Sequence, residues 1–149
     1  MDYSIIDIPK SRLLEIKQLW EKLNQIHLLD SVYFKDHYKS FTFEMRIESF
    51  IKIDDENIKI SIILNDDKIF GYCVSAISEA KGELESLYVS DEIRKSGYGK
   101  ILVQSHIDWM KQNNCKKITV AVLHGHDSAL GFYHKMGFYE RLVEMEYKA

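Results

Sequence analysis

The stretch Arg94-Lys95-Ser96-Gly97-Tyr98-Gly99-Lys100 lies between an apolar run with strand character, Leu84 to Val89, and an amphipathic run with helical spacing, Ile101 to Met110. A strand, a basic turn with two glycines and the start of a helix together make a trap for an anion. The first N–H groups of a helix have no partner within it, and the summed peptide dipoles make that end partly positive. Glycine allows the positive φ angles of such a turn and lacks the Cβ that would hold a ligand off. A phosphate or pyrophosphate can rest on the main-chain amides from Arg94 to Lys100, with Arg94, Lys95 and Lys100 adding charge. The same residues also suit an idle glycine-rich turn with a solvated basic rim.

Spacing separates the phosphate ligands. A Walker A loop needs Ser or Thr after its Gly-Lys pair, but Lys100 is followed by Ile101, and the position five before Gly99 is Arg94. A dinucleotide fingerprint needs a third glycine where Leu102 stands. What remains is Arg94-x-x-Gly97-x-Gly99.

The chain of 149 residues is long enough for one domain with its own core, and residues 1–149 are read as a single unit. Its hydrophobic share of 46% and charged share of 29% are ordinary for a soluble globular protein. A formal net charge of −3 argues against a general nucleic-acid binder, which needs a broad basic face. No apolar run approaches the length of a membrane span, and Asp2, Asp7 and Lys10 interrupt the N-terminus, so no membrane association and a cytoplasmic location are expected. Cys73 and Cys115 read as free thiols of a reducing compartment.

Along the chain, Tyr3 to Ile8 predicts a first strand ended by Pro9. A helix follows from an N-cap at Ser11 to Leu29, and a second runs from Asp36 to about Ile53. Ile58–Leu64 and Ile69–Ile77 form a hairpin about Asn65-Asp66-Asp67, and a turn at Lys81-Gly82 opens the strand Glu83–Val89. Strict alternation puts Glu83, Glu85, Leu87 and Val89 on one face and Leu84, Ser86 and Tyr88 on the other. After the helix following the glycine loop come a strand from Ile118 to Leu123 and a short helix from Asp127 to Met136, closed by Gly137. One or two strands from Phe138 to Tyr147 finish the chain. The order β-α-α-β-β-β-α-β-α-β predicts a mixed α/β domain around one sheet.

A second motif lies about thirty residues downstream of the loop, in Ala129-Leu130-Gly131-Phe132-Tyr133-His134-Lys135-Met136-Gly137-Phe138. The two motifs resemble those of the GNAT superfamily of N-acetyltransferases: Gln/Arg-x-x-Gly-x-Gly/Ala for the coenzyme A pyrophosphate, then Asn-x-x-Ala-x-x-Phe/Leu-Tyr-x-x-x-Gly-Phe. The resemblance covers residues 58 to 140 by motif and the rest by element order. It implies an acyl-CoA N-acyltransferase fold with a sheet splayed between strands four and five, and acetyl-CoA as cosubstrate. Backbone groups of Leu87, Tyr88 and Val89 would then hold the pantetheine arm as an added strand. The pyrophosphate would lie on Arg94, Lys95, Ser96, Gly97, Tyr98, Gly99 and Lys100. His126 replaces the Asn of the second motif, so its contact with the arm is altered or lost. A metal reading of His124 and His126 lacks Cys, Asp or Glu partners, and no metal is expected.

The resemblance implies direct attack of an amine on the thioester. Tyr133 matches the tyrosine that hydrogen-bonds the coenzyme A sulfur and acts as general acid; it would serve equally as a core aromatic. Glu85 is the candidate base, with a structurally paired carboxylate as its alternative and Glu83 as an equally charged neighbour. The acceptor would bind near His27 to Phe43, where Asp30, Tyr33, Phe34 and Tyr38 suit a cationic small-molecule amine, although a plain helix connection would use the same residues. A non-catalytic acyl-CoA-binding or sensing module is the competing reading. The oligomeric state is not fixed by the sequence; a homodimer is allowed for.

Overall fold

Two tight hairpins build the centre of the molecule. In a computed structural model that describes residues 2–149, β2 (Ile58–Asn65) and β3 (Lys68–Ser78) are joined through Asp66 and Asp67, both with positive φ. β3 and β4 (Lys81–Val89) are joined through Glu79 and Ala80, again both with positive φ. Two successive left-handed residues match the twist of the flanking strands. The second turn therefore precedes Lys81-Gly82, where it was expected, and both residues belong to β4. β1 (Ser4–Asp7) pairs antiparallel with β2, and β5 (Lys117–Val120) pairs parallel with β4, giving the order β1-β2-β3-β4-β5.

Helices cover both faces. One layer holds α1 (Lys17–Asp30), α2 (Lys35–Ser40) and α3 (Phe43–Ile51), which bury Trp20, Leu23, Phe43 and Phe50 against Ile60, Ile62, Tyr72 and Tyr88. The other holds α4 (Tyr98–Gln112) and α5 (Asp127–Lys135), packed on Ile63, Cys73 and Leu84. Leu102, Val103, Ile107 and Met110 of α4 are buried, each contributing on the order of 1.5–3 kcal/mol of apolar transfer.

Several local expectations change. The first helix begins as a 3-10 turn over Lys10–Ile16, and the chain enters it at Pro9 with no cap from Ser11. The expected second helix is broken at Phe41 and Thr42: the Thr42 hydroxyl accepts from the Met45 amide at 3.2 Å and starts α3 as a separate helix. β5 stops at Val120 because β4 diverges beyond Leu84 and leaves it no ladder partner. The segment Phe138 to Tyr147 forms no strand. Val143, Met145 and Tyr147 alternate with charged residues as a strand would, but they pair with no strand among the described residues and are 83–90% exposed.

A polar chain crosses the second layer. His106 of α4 is fully buried, with Nδ1 2.7 Å from the Ser75 hydroxyl and Nε2 2.9 Å from the Ser61 hydroxyl. Ser61 also lies 2.6 Å from the Asp7 carboxylate, which can only accept, so Ser61 donates there. The Ser61 oxygen must then accept from Nε2–H, and Nδ1 accepts from Ser75. Burial, with the nearby Lys59 charge, lowers the His106 pKa from 6.5 to about 3, so the ring is neutral.

Candidate active site

The cleft is set by a change of pairing along β4. Lys81 to Leu84 lie beside β5, whereas from Glu85 to Val89 the edge facing β5 carries no ladder. On its other edge β4 stays paired with β3, but the register jumps: Ser75 faces Leu84 and Val74 faces Ser86, leaving Glu85 as an extra, bulged residue. A bulge breaks the two-residue period. Leu84 therefore shares the α4–α5 side with Leu87 and Val89, whereas Ser86, through its 2.8 Å contact with the Tyr72 hydroxyl, and Tyr88 belong to the α1–α3 side. This corrects the strict alternation expected for the strand, which grouped Glu85 with Leu87 and Val89.

Glu85 points into the α1–α3 layer, where Arg46 of α3 donates through Nη2 to its carboxylate at 3.1 Å and to its carbonyl oxygen at 2.7 Å. Arg46 also lies over the Phe50 ring, 4.4 Å from its centroid. Glu83 forms no ion pair among the described residues, and burial, then the Glu85 charge, raises its pKa above the usual carboxylate value.

The loop after β4 has the form expected of an anion cradle. A 3-10 turn over Asp91–Ile93 leads to Lys95 and Gly97, at φ 66° and 90°, and α4 starts at Tyr98 with no side-chain cap. The Arg94 amide bonds Asp91 and the Ser96 amide bonds Ile93, while the Ile101 amide makes the first helical bond, to Gly97. The amides of Lys95, Gly97, Tyr98, Gly99 and Lys100 have no partner among the described residues. Side-chain charge is narrower than expected. Arg94 is held back on β4, pairing with Asp91, donating to the Val89 carbonyl at 2.9 Å and lying over the Tyr88 ring, which leaves Lys95 and Lys100 as the exposed loop cations without an ion pair among the described residues.

The second motif converges on the first. A Cβ on Gly99 would lie 3.4 Å from Val89 and 3.9 Å from Phe132, so the loop, the end of β4 and α5 meet there. α5 ends with the Phe138 amide bonded to the Tyr133 carbonyl (2.9 Å) and the Gly137 amide to the His134 carbonyl (3.1 Å), a Schellman cap that needs the φ of 96° at Gly137. The Phe138 ring closes on Tyr133 at 5.7 Å. The Gly-Phe of the motif thus fixes the tyrosine. Tyr133 is 8% exposed, and burial raises the pKa of its phenol, which stays protonated at neutral pH. Its hydroxyl makes no hydrogen bond among the described residues and is not sealed, since no buried side-chain oxygen or nitrogen there lacks a partner. It is free to donate.

On the acceptor side, the sequence-predicted residues divide. Asp30 bonds His126 Nδ1 at 2.9 Å, and His27 lies between His126 and Tyr38, with ring centroids 5.9 and 5.6 Å away. Tyr33 is exposed and stacks on His124, and Phe34 uses its amide to bond Ser31. A cleft of about 460 Å³ opens where Lys22, Gln25 and Ile26 of α1 face Tyr88 and Ser90 at the end of β4. A groove of about 380 Å³ runs between α1 and α2–α3, past Trp20, Asn24, Tyr38 and Phe41. Arg46 was not singled out in the sequence: its partner Glu85 lies far along the chain, and no spacing rule reaches it. No group of three or more His, Cys, Asp or Glu residues is arranged to hold a metal ion among the described residues. No helix among them is long and apolar enough to cross a membrane.

This splayed sheet, amide cradle and fixed tyrosine define an acyltransferase domain. Residues 20–138 match the model of the acetyltransferase (GNAT) family, and the chain belongs to that family. It is similar to the PaiA N-acetyltransferase of Thermoplasma acidophilum, whose structure is in complex with coenzyme A, at 18% identity over 97% of this chain and 94% of that one, with a TM-score of 0.80. An aminoglycoside acetyltransferase from an uncultured soil metagenomic sample, in complex with sisomicin, matches at 18% identity over 99% and 96%, with a TM-score of 0.73.

Proposed function

We infer that this chain, acting as a single acetyltransferase domain, moves an acetyl group from acetyl-CoA to the primary amine of a small molecule. The observation that carries the reading is the set of amides at Lys95, Gly97, Tyr98, Gly99 and Lys100, unpartnered among the described residues, beside the open edge of β4 and the start of the packing on Phe132 of α5. A pyrophosphate at the loop satisfies those amides. The pantetheine arm pairs along Leu87, Tyr88 and Val89 on the edge that β5 leaves, and brings its sulfur towards Tyr133. A free N–H on that edge near Leu87 stabilises the oxyanion. Tyr133 gives its proton to the departing sulfur.

The amine must arrive with a free lone pair. Glu85 of β4, the carboxylate that the sequence offers as base, faces the acceptor helices but has one oxygen committed to Arg46. The acceptor enters from the α1–α2 side, where Asp30 and Tyr38 offer a carboxylate and an aromatic face to a cation. Support for an amine acceptor comes also from the aminoglycoside acetyltransferase of the same fold. The test incubates the protein with acetyl-CoA and a panel comprising a polyamine, an aminoglycoside, an amino acid and a peptide N-terminus, and follows release of free thiol. Acetyl-CoA binding without thiol release beyond the no-amine rate for any acceptor would favour the sensing module instead.

A further inference from the structure

The loop from β5 to α5 crosses to the C-terminal end of α1. A Cβ on Gly125 would sit 2.4 Å from the Asp30 carbonyl oxygen, so a residue without a side chain is what lets the loop lie there. The next residue, His126, turns its ring onto the Asp30 carboxylate, with Nδ1 2.9 Å from Oδ2. An ionised carboxylate only accepts, so Nδ1 carries the proton and the lone pair of the neutral ring is on Nε2. Nε2 has no partner among the described residues and is not sealed, while the side chain as a whole is 16% exposed. A carboxylate that fixes the tautomer and leaves Nε2 as an open acceptor is the arrangement by which hydrolytic enzymes make a histidine a base.

Resting on the acetyl-transfer reading above, we propose that the Asp30–His126 pair is the general base for the acceptor amine, with Nε2 taking its proton directly or through one water. Three observations support it. His126 is the residue that leads into α5, seven positions before Tyr133, so base and acid are carried at one end and in the body of the same short element. Asp30 lies within the segment from His27 to Phe43 expected to bind the acceptor. The Glu85 carboxylate, by contrast, already shares its charge with Arg46.

Asp30 and His27 of α1 face His126, with Tyr38 of α2 behind His27; along the chain its charged or titratable neighbours are Asp127, which opens α5, and His124, stacked on Tyr33. His27 does not compete for the proton: burial, then the nearby His126, lowers its pKa from 6.5 to about 4. In the reaction the alkylammonium gives one proton to Nε2. Its lone pair forms the C–N bond, and the C–S bond breaks as Tyr133 protonates the sulfur. The second proton lost by the nitrogen returns to Tyr133, and His126 releases its own to solvent. Amide, free coenzyme A and one proton result.

The test compares the parent chain with His126→Ala, His126→Gln and Asp30→Asn, using acetyl-CoA and the amine panel with and without imidazole in the buffer. For both His126 variants we expect kcat at neutral pH to fall roughly 10²-fold or more, with acetyl-CoA affinity held. The His126→Ala rate should recover in part with imidazole, and both should recover as pH rises and free amine accumulates. Asp30→Asn, which keeps the ring but loses its orienting carboxylate, should fall less. Parental kcat in both His126 variants overturns the assignment. A loss that imidazole does not restore, accompanied by weaker acetyl-CoA binding, also overturns it and makes His126 a contact of the pantetheine arm. If the parent binds acetyl-CoA but acetylates no amine of the panel, the proposed function fails and this inference with it.

Discussion

Gly97 shows how one residue carries the cofactor reading. Its φ of 90° lies where a side chain is strained, and nothing stands within 4 Å of the place a Cβ would take. The cost of Gly97→Ala is therefore conformational, about 1 kcal/mol. Urea unfolding should report that loss, and acetyl-CoA should bind more weakly because the amides from Tyr98 onward shift. Unchanged affinity would move the pyrophosphate elsewhere. Tyr133 makes the opposite case, because its ring is structural and its hydroxyl is spare. Tyr133→Phe should keep the Schellman cap, the fold and acetyl-CoA binding while lowering kcat on the order of 10²-fold. Unchanged turnover across pH would remove the acid role. Both residues were legible because a local pattern specifies them; the open hydroxyl of Tyr133 was not, since it depends on what packs around it.

At the scale of elements, β4 and α4 each hold a feature that hydrophobic periodicity hides. The bulge at Glu85 turns the carboxylate towards α3, and only the pairing of β3 with β4 reveals it. Glu85→Gln keeps a hydrogen-bond acceptor for Arg46, and with His126 as the base it should retain most of the parental kcat at neutral pH; a loss of 10²-fold or more would return the base role to Glu85. In α4, His106 is buried and neutral between Ser61 and Ser75. Its pKa is lowered from 6.5 to about 3, so the unfolded chain binds the extra proton between those values. The stability it contributes is whole above pH 6.5 and is lost as pH falls towards 3, in total on the order of a few kcal/mol. His27, with its pKa lowered to about 4, acts in the same sense over its own narrower interval. Thermal midpoints measured from pH 7.5 to 4 should fall steadily with acidity, and His106→Gln should flatten the slope even though it lowers the midpoint at neutral pH. A parent midpoint independent of pH in this range would contradict a neutral buried His106.

For the molecule as a whole, the sequence disclosed what is built locally: the hairpin at Asp66-Asp67, the glycine turn before α4, the capped α5 and the mixed sheet they imply. It did not disclose Arg46 on Glu85, Asp30 on His126 or the His106 chain, because each joins residues from different elements and leaves no periodic trace. The closing strand was read from the alternation of Val143, Met145 and Tyr147, a pattern that is necessary for a half-buried strand but supplies no partner edge. The site lies where the two kinds of information meet, with a locally encoded cradle on one side of the cleft and tertiary pairs on the other. The activity proposed for it is transfer of an acetyl group from acetyl-CoA bound across the open edge of β4. The most direct measurement is release of free coenzyme A thiol from acetyl-CoA by the intact protein across the amine panel. The prediction is amine-dependent release that saturates with at least one acceptor and drops sharply in Tyr133→Phe. Release no faster than in the absence of amine, for every acceptor, would contradict it.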